Sequence, residues 1–143
     1  LPTAPRETVK PAAGLPPVKD VQGAPAVTIC KATKPNKLVV QPLIKGKGAA
    51  VTAHDSIDVK YRTYAWSSGE LIEDGYSGEP VTGSMNSVIP GWKKGLIGQT
   101  VGSRVMLIVP PADAYPNAST NPPVKQGETL IYVIDILSAQ KES

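Results

Sequence analysis

Apolar and polar side chains alternate most regularly from Ile57, where Ile57, Val59, Tyr61, Thr63 and Ala65 share one face of a period-two pattern and Asp58, Lys60 and Arg62 take the other. This predicts a half-buried strand. Residues 37–44, 104–109 and 129–137 carry similar runs; the last two are β-branched and largely apolar, with Gly or Pro nearby. At least four strands are therefore expected. Pro42 has no amide donor, so the first of these runs belongs at a sheet edge or contains a bulge. Only one short segment reads as helix: Pro90 opens it, Trp92 and Leu96 stand at i and i+4 on one face, and Gly98 stops it. A helix of two turns or fewer does not hold in water by itself. It must pack against the strands, which predicts an α+β fold with a curved antiparallel sheet clasping one short α-helix.

Composition supports sheet over bundle. The 15 prolines, 13 glycines and absence of Phe disfavour long helices and mark turns between short strands. A length of 143 residues accommodates one domain with an ordinary core. Pro2, Pro5, Pro11, Pro16, Pro17 and Pro25 occur among few large apolar side chains, which predicts an extended, weakly packed segment. The expected organisation is a Pro-rich N-terminal arm over residues 1–36, a domain over 37–138 and a C-terminal tail over 139–143. Pro-Pro-Val-Lys occurs at 16–19 and 122–125, too short a repeat to indicate duplication.

The net charge of +3 demands neither a nucleic-acid surface nor a membrane-binding face. Lys31, Lys34, Lys37, Lys45 and Lys47 form a basic stretch that reads as a solvated face. No apolar run approaches the roughly 18 residues of a transmembrane helix, so no membrane span is expected. The chain starts at Leu1 without Met or a signal pattern, which reads as a processed or truncated chain. Cys30 is the single cysteine, so an intramolecular disulfide is excluded, and in Val27-Thr28-Ile29-Cys30 it reads as a small buried hydrophobe.

Counting also excludes the common catalytic constellations. His54 is the single histidine and sits in a polar turn, and neither a G-x-S-x-G elbow nor a G-x-x-x-x-G-K phosphate loop is present. Asp55, Asp58, Glu70, Glu73, Asp74 and Glu79 lack metal-loop spacing, so no metal or cofactor is expected. Glu73-Asp74-Gly75 reads as a surface turn, and the Asn117-Ala118-Ser119 triplet as an exposed loop.

What remains is a set of aromatic and branched side chains between tight turns. In order these are Ile57-Asp58-Val59-Lys60-Tyr61, Gly78-Glu79-Pro80, Val88-Ile89-Pro90-Gly91-Trp92-Lys93-Lys94-Gly95-Leu96, Val101-Gly102, Ile108-Val109-Pro110-Pro111, Ala114-Tyr115 and Thr129-Leu130-Ile131-Tyr132. Over about 100 residues this series resembles the FKBP-type peptidyl-prolyl cis-trans isomerases. The resemblance implies a half-barrel sheet around the short helix and a shallow apolar pocket for a proline ring. It places Trp92 at the floor, Tyr61 and Tyr132 as walls, Val88 and Ile89 at the rim with the Ile89 amide facing a substrate carbonyl, and the Tyr115 hydroxyl on another carbonyl. Read without it, the same residues are ordinary core aromatics.

Three departures bear on activity. Where the family usually has a Phe-Asp pair, the sequence reads Gly69-Glu70-Leu71-Ile72-Glu73-Asp74; Ile72 and Glu73 are the equivalents, with Leu71 and Ile72 as the ungapped alternative. Gly83 replaces a second pocket Phe, which implies a wider and wetter pocket. Pro116 follows Tyr115 where glycine is common, restricting Tyr115 to extended conformations. The resemblance thus implies a prolyl isomerase of reduced efficiency that assists protein folding, acting as a monomer on proline-containing peptides or unfolded clients and accessible to macrolide inhibitors. The alternatives are an FKBP-like peptide-binding or chaperone module without turnover, and a structural or adhesive sheet domain. A Pro-rich arm before such a domain resembles extracytoplasmic, envelope-tethered bacterial members, while a cytoplasmic origin stays open.

Overall fold

The alternating run at Ile57 becomes the strand around which the pocket side of the sheet is organised. The structure, a computed structural model, describes residues 6–29 and 32–142. Its strands are β1 (Arg6–Thr8), β2 (Val18–Val21), β3 (Ala24–Val27), β4 (Val39–Gly46), β5 (Asp55–Ala65), β6 (Leu71–Asp74), β7 (Val81–Ser84), β8 (Arg104–Val109), β9 (Ser119–Thr120), β10 (Pro123–Val124) and β11 (Leu130–Lys141). The helix α1 spans Pro90–Leu96. Seven strands form one antiparallel sheet in the order β1-β4-β8-β11-β5-β6, with β7 also pairing β5. Cys30 and Lys31 lie outside the described residues.

Pro42 sits where the ladder is interrupted: the β4–β8 register shifts between Pro42 and Ile44, and β1 covers only Ile44–Gly46 on the other side. The missing amide is thereby accommodated by a bulge.

Both faces of the central strands are covered, which is why β8 and β11 read as continuous apolar runs. On one face Ile57, Val59, Val105, Leu107, Ile134 and Ile136 pack with Leu96 and Trp92 of α1. On the other, Leu43, Tyr64, Met106, Ile108, Ile131 and Val133 pack with Leu15, Val18, Val27 and Ile29. Gly91 and Gly95 bring α1 close to the sheet, since a Cβ there would stand 2.5 Å from Val109 Cγ1 and 2.6 Å from Leu107 Cδ2 respectively.

The segment expected to form an extended arm is therefore partly structured. Strands β2 and β3 make a hairpin, and β1 adds to the main sheet. The hairpin is held by polar contacts as well as apolar ones: Arg62 Nη1 and the Tyr64 hydroxyl both donate to the Pro25 carbonyl, at 3.2 and 3.1 Å. Composition alone does not reveal this, because the few apolar side chains of the arm gain their partners only from the back of the sheet. At the other end, Ala139, Gln140 and Lys141, expected in the tail, pair with Ile57, Ser56 and Asp55 beyond a bulge at Ile136/Ser138.

Candidate active site

The site is assembled on the helix side of the sheet. Tyr61 on β5 and Tyr132 on β11 point to the same face as Ile57 and Ile134, and Trp92 rises from α1 to meet them. The Trp92 ring centroid lies 5.0 Å from that of Tyr61 and 5.5 Å from that of Tyr132, with both pairs edge to face. The two tyrosine rings are 6.2 Å apart. Such T-shaped contacts place ring edges against ring faces, a favoured arrangement of aromatic quadrupoles. Trp92 is 7% exposed, and its Nε1 is the one fully buried side-chain donor without a partner among the described residues.

A cavity of about 220 Å³ opens over this group, bounded also by Glu73, Gly83, Val88, Ile89 and Tyr115. It is smaller than the roughly 300–1,000 Å³ of drug-sized sites. Glu73 faces inward from β6, where its carboxylate accepts from the Tyr61 hydroxyl at 2.9 Å and the Thr63 hydroxyl at 3.0 Å. A register shift opposite Thr63/Tyr64 leaves Ile72 without a ladder partner beside it. Ile89 caps the start of α1, its carbonyl receiving the Trp92 and Lys93 amides, while its own N–H donates to no backbone group among the described residues.

The phenols are held neutral. Burial and then the Glu73 carboxylate push Tyr61 far above the ordinary tyrosine range. Burial and the neighbouring Tyr115, Glu73 and Tyr61 do the same to Tyr132. Burial and then Glu73 raise Tyr115. A pocket with these properties offers apolar walls and neutral hydrogen-bond donors.

Of the residues singled out from sequence, Tyr61, Glu73, Gly83, Val88, Ile89, Trp92, Tyr115 and Tyr132 line one cavity. Ile72 does not; it packs against the core and lines a neighbouring groove with Leu71. Val59, Val81 and Ser87 also border the cavity and were not anticipated. Val59 was within reach, because it shares the period-two face of Tyr61, whereas Val81 and Ser87 arrive through the β7 segment and the turn after it, which periodicity does not orient.

A half-barrel sheet, one short helix and an aromatic pocket at their junction define an FKBP-like isomerase fold. Residues 47–137 match the family model described as FKBP-type peptidyl-prolyl cis-trans isomerase. The chain is 32% identical over 117 residues to a Corynebacterium glutamicum protein named "Probable FK506-binding protein", covering 80% of this chain and 98% of that one. It is 31% identical over 108 residues to the FKBP-type peptidyl-prolyl cis-trans isomerase FkpA of Escherichia coli, covering 76% of this chain and 40% of FkpA. The crystal structure of that FkpA superposes with a TM-score of 0.65 at 30% identity, covering 73% of this chain and 48% of that chain. The "Outer membrane protein MIP" of Legionella longbeachae is 31% identical over 113 residues, covering 75% of this chain and 46% of that protein. This chain belongs to the FKBP-type peptidyl-prolyl cis-trans isomerase family, and its function is that of a peptidyl-prolyl isomerase. A peptide-binding module without turnover is not favoured. The chain spans nearly all of the Corynebacterium relative but less than half of FkpA and MIP.

Proposed function

We propose that the cavity over Trp92 receives the proline ring and turns its preceding peptide bond, with reduced efficiency relative to sites that carry two further phenylalanines. Rotation about X-Pro faces a barrier of roughly 18–20 kcal/mol because amide resonance is lost on the way. No proton has to move, so the lack of an acid–base pair is no obstacle. In this reading Trp92 is the floor, Tyr61 and Tyr132 are walls, Val88 frames the rim, and the Ile89 amide and Tyr115 hydroxyl hold substrate carbonyls. Glu73 fixes the Tyr61 phenol. An apolar, water-poor site that binds the twisted amide better than the planar one lowers the barrier by differential binding.

The observation that carries this reading is the edge-to-face Tyr61–Trp92–Tyr132 group beside an Ile89 N–H that has no backbone partner among the described residues. Reduced efficiency is supported by Gly83, which adds no side chain to the wall, and by Ile72, which falls outside the cavity lining. The test is cis–trans isomerisation of a short Leu-Pro peptide, followed by NMR exchange. Trp92→Leu is expected to lower kcat/KM at least about tenfold through lost packing, and Tyr115→Phe about two- to tenfold through one hydrogen bond. Unchanged rates in both well-folded variants would remove these residues from the site, and turnover matching Phe-bearing members would show that the two phenylalanines are dispensable for full efficiency.

Substrates on this reading are proline-containing peptides and unfolded clients, with macrolides as pocket ligands. The isomerase domain is taken as residues 37–138, with β1 and the β2–β3 hairpin of the N-terminal segment packed onto its sheet and residues 139–141 continuing β11. A monomer is supported by a sheet whose two faces are both covered by the chain itself. An extracytoplasmic or envelope-associated setting draws support from the similarity to the Legionella outer membrane protein. Among the described residues no helix is long and apolar enough to cross a membrane.

A further inference from the structure

Glu73 at the end of β6 and Val81 and Gly83 of β7 border the isomerase cavity, and the chain that joins them has few ties of its own. Ser77, Gly78 and Glu79 are exposed, and their amides find no backbone partner among the described residues. Tyr76 is different. Its half-buried ring lies under the Arg62 guanidinium, with Cζ 5.9 Å from the ring centroid, and its hydroxyl donates to Asp135, a fully buried residue of β11 on the far side of β5. The Tyr76 amide donates to Asp74 Oδ1 at 3.1 Å, and the Gly75 amide to the Tyr61 carbonyl at 2.8 Å. Arg62 holds the same Asp74 carboxylate through Nε and Nη2, both at 3.1 Å, while its Nη1 donates to the Pro25 carbonyl of the N-terminal hairpin. That hairpin precedes residues 47–137, so the network reaches beyond the part of the chain that matches the family.

We propose that Tyr76 and Arg62 are positioning residues for the isomerase reaction. From the back of the sheet they fix the β6–β7 connection, and with it the Glu73, Val81 and Gly83 wall against which substrate binds, and through Arg62 that wall depends on the docked N-terminal hairpin. The inference rests on the cavity being the proline site. Neither side chain borders the cavity, so each acts through the segment it holds. Gly75 and Gly78 leave the connection many backbone conformations, and the anchors at its start select among them. Loosening an anchor lowers the fraction of molecules whose wall is in place, and the apparent affinity for substrate falls with that fraction. Ground state and transition state lose this binding alike, so KM rises while kcat is kept. Plain destabilisation does the reverse: it removes active molecules, which lowers apparent kcat and leaves KM as it was.

The experiment uses the whole chain and a short Leu-Pro peptide, with kcat and KM from NMR exchange, Kd from an NMR titration, and hydrogen exchange of the Gly75 amide as a reporter of the connection itself. Tyr76→Phe keeps the ring under Arg62 and removes the bond to Asp135. It is expected to raise KM and Kd at least about threefold with kcat within about twofold of wild type, and to speed exchange at Gly75 at least about threefold, all within the worth of one hydrogen bond to a charged group. Arg62→Lys, whose single ammonium cannot hold Asp74 and Pro25 together, is expected to act in the same direction. The double variant should exceed the larger single effect by less than about twofold, because both changes loosen one connection. Unchanged KM and Kd in Tyr76→Phe overturn the proposal, as does a lower kcat at unchanged KM or a Gly75 amide that exchanges at the wild-type rate. Single effects that multiply in the double variant overturn the shared route to the hairpin. A wild-type protein that neither turns over nor binds the peptide counts against the proline-site reading instead, and exchange at Gly75 still decides whether Tyr76 is the anchor.

Discussion

Tyrosine does most of the polar work in this site, and its protonation has a readable consequence for stability. Tyr61, Tyr115 and Tyr132 are all raised in the folded protein, by burial first and by neighbouring phenols or the Glu73 carboxylate next. Tyr76, outside the cavity, is raised by burial and then by Asp135. Below about pH 10 these phenols are neutral in both folded and unfolded chains, so they contribute no pH dependence. Above that, unfolded tyrosines ionise while the folded ones stay protonated, and the equilibrium moves toward the unfolded state. The urea midpoint is therefore expected to be flat with respect to tyrosine titration up to about pH 10 and to fall beyond it. Replacing Tyr76 with Phe should soften that alkaline fall; an identical profile would remove Tyr76 as a contributor. Residues of this kind were legible in sequence because Tyr61, Trp92, Tyr115 and Tyr132 sit in an ordered series of motifs. The inward turn of Glu73 was legible only as one of two registers, and the Tyr61 and Thr63 hydroxyls that hold its carboxylate settle the geometry.

At the level of elements, the short helix depends on contact with the sheet more than on its own propensity. Its glycines look like poor helix formers, yet Gly91 lies where a Cβ would reach 2.5 Å from Val109 Cγ1 and 3.2 Å from the Asp113 carbonyl. Gly91→Ala would gain roughly 1 kcal/mol in helix propensity. Forcing α1 off β8 is expected to cost about 1–3 kcal/mol. A net fall in thermal stability, accompanied by a change in Trp92 fluorescence, is the expected result; a rise would mean the helix relaxes without cost. Helix ends and strand pattern were readable here because Pro90, Gly98 and the period-two run carry local signals. The pairing of Arg6–Thr8 with β4 and the hairpin at 18–27 were not, since each needs a surface that distant residues create.

For the whole molecule, the back of the sheet is tied together by one buried ion pair. Asp135 is fully buried on β11 and accepts two bonds from Arg104 Nε at 3.0 and 3.1 Å and one from Arg104 Nη2 at 2.9 Å. The Tyr76 hydroxyl also donates to Asp135, and Asp20 of the N-terminal hairpin stands 3.7 Å from Arg104 Nη1. Arg104→Met leaves that carboxylate buried without its cation and is expected to cost about 3–5 kcal/mol in urea unfolding. Adding Asp135→Leu should recover much of the loss; a double variant no better than the single one would show that packing, not the stranded charge, sets the effect. The sequence by itself determined the α+β class, the principal strands and the single α-helix, because periodicity and turn residues are local properties; the aromatic residues of the cavity were named only through the resemblance that the motif order carries. Only the tertiary structure decided that the N-terminal segment covers the second face of the sheet, that Ile72 is separated from the cavity while Glu73 enters it, and that Arg104 finds Asp135. Those outcomes depend on which surfaces meet, and burial and pairing energies between residues far apart in the chain are set only when the sheet has closed around its helix.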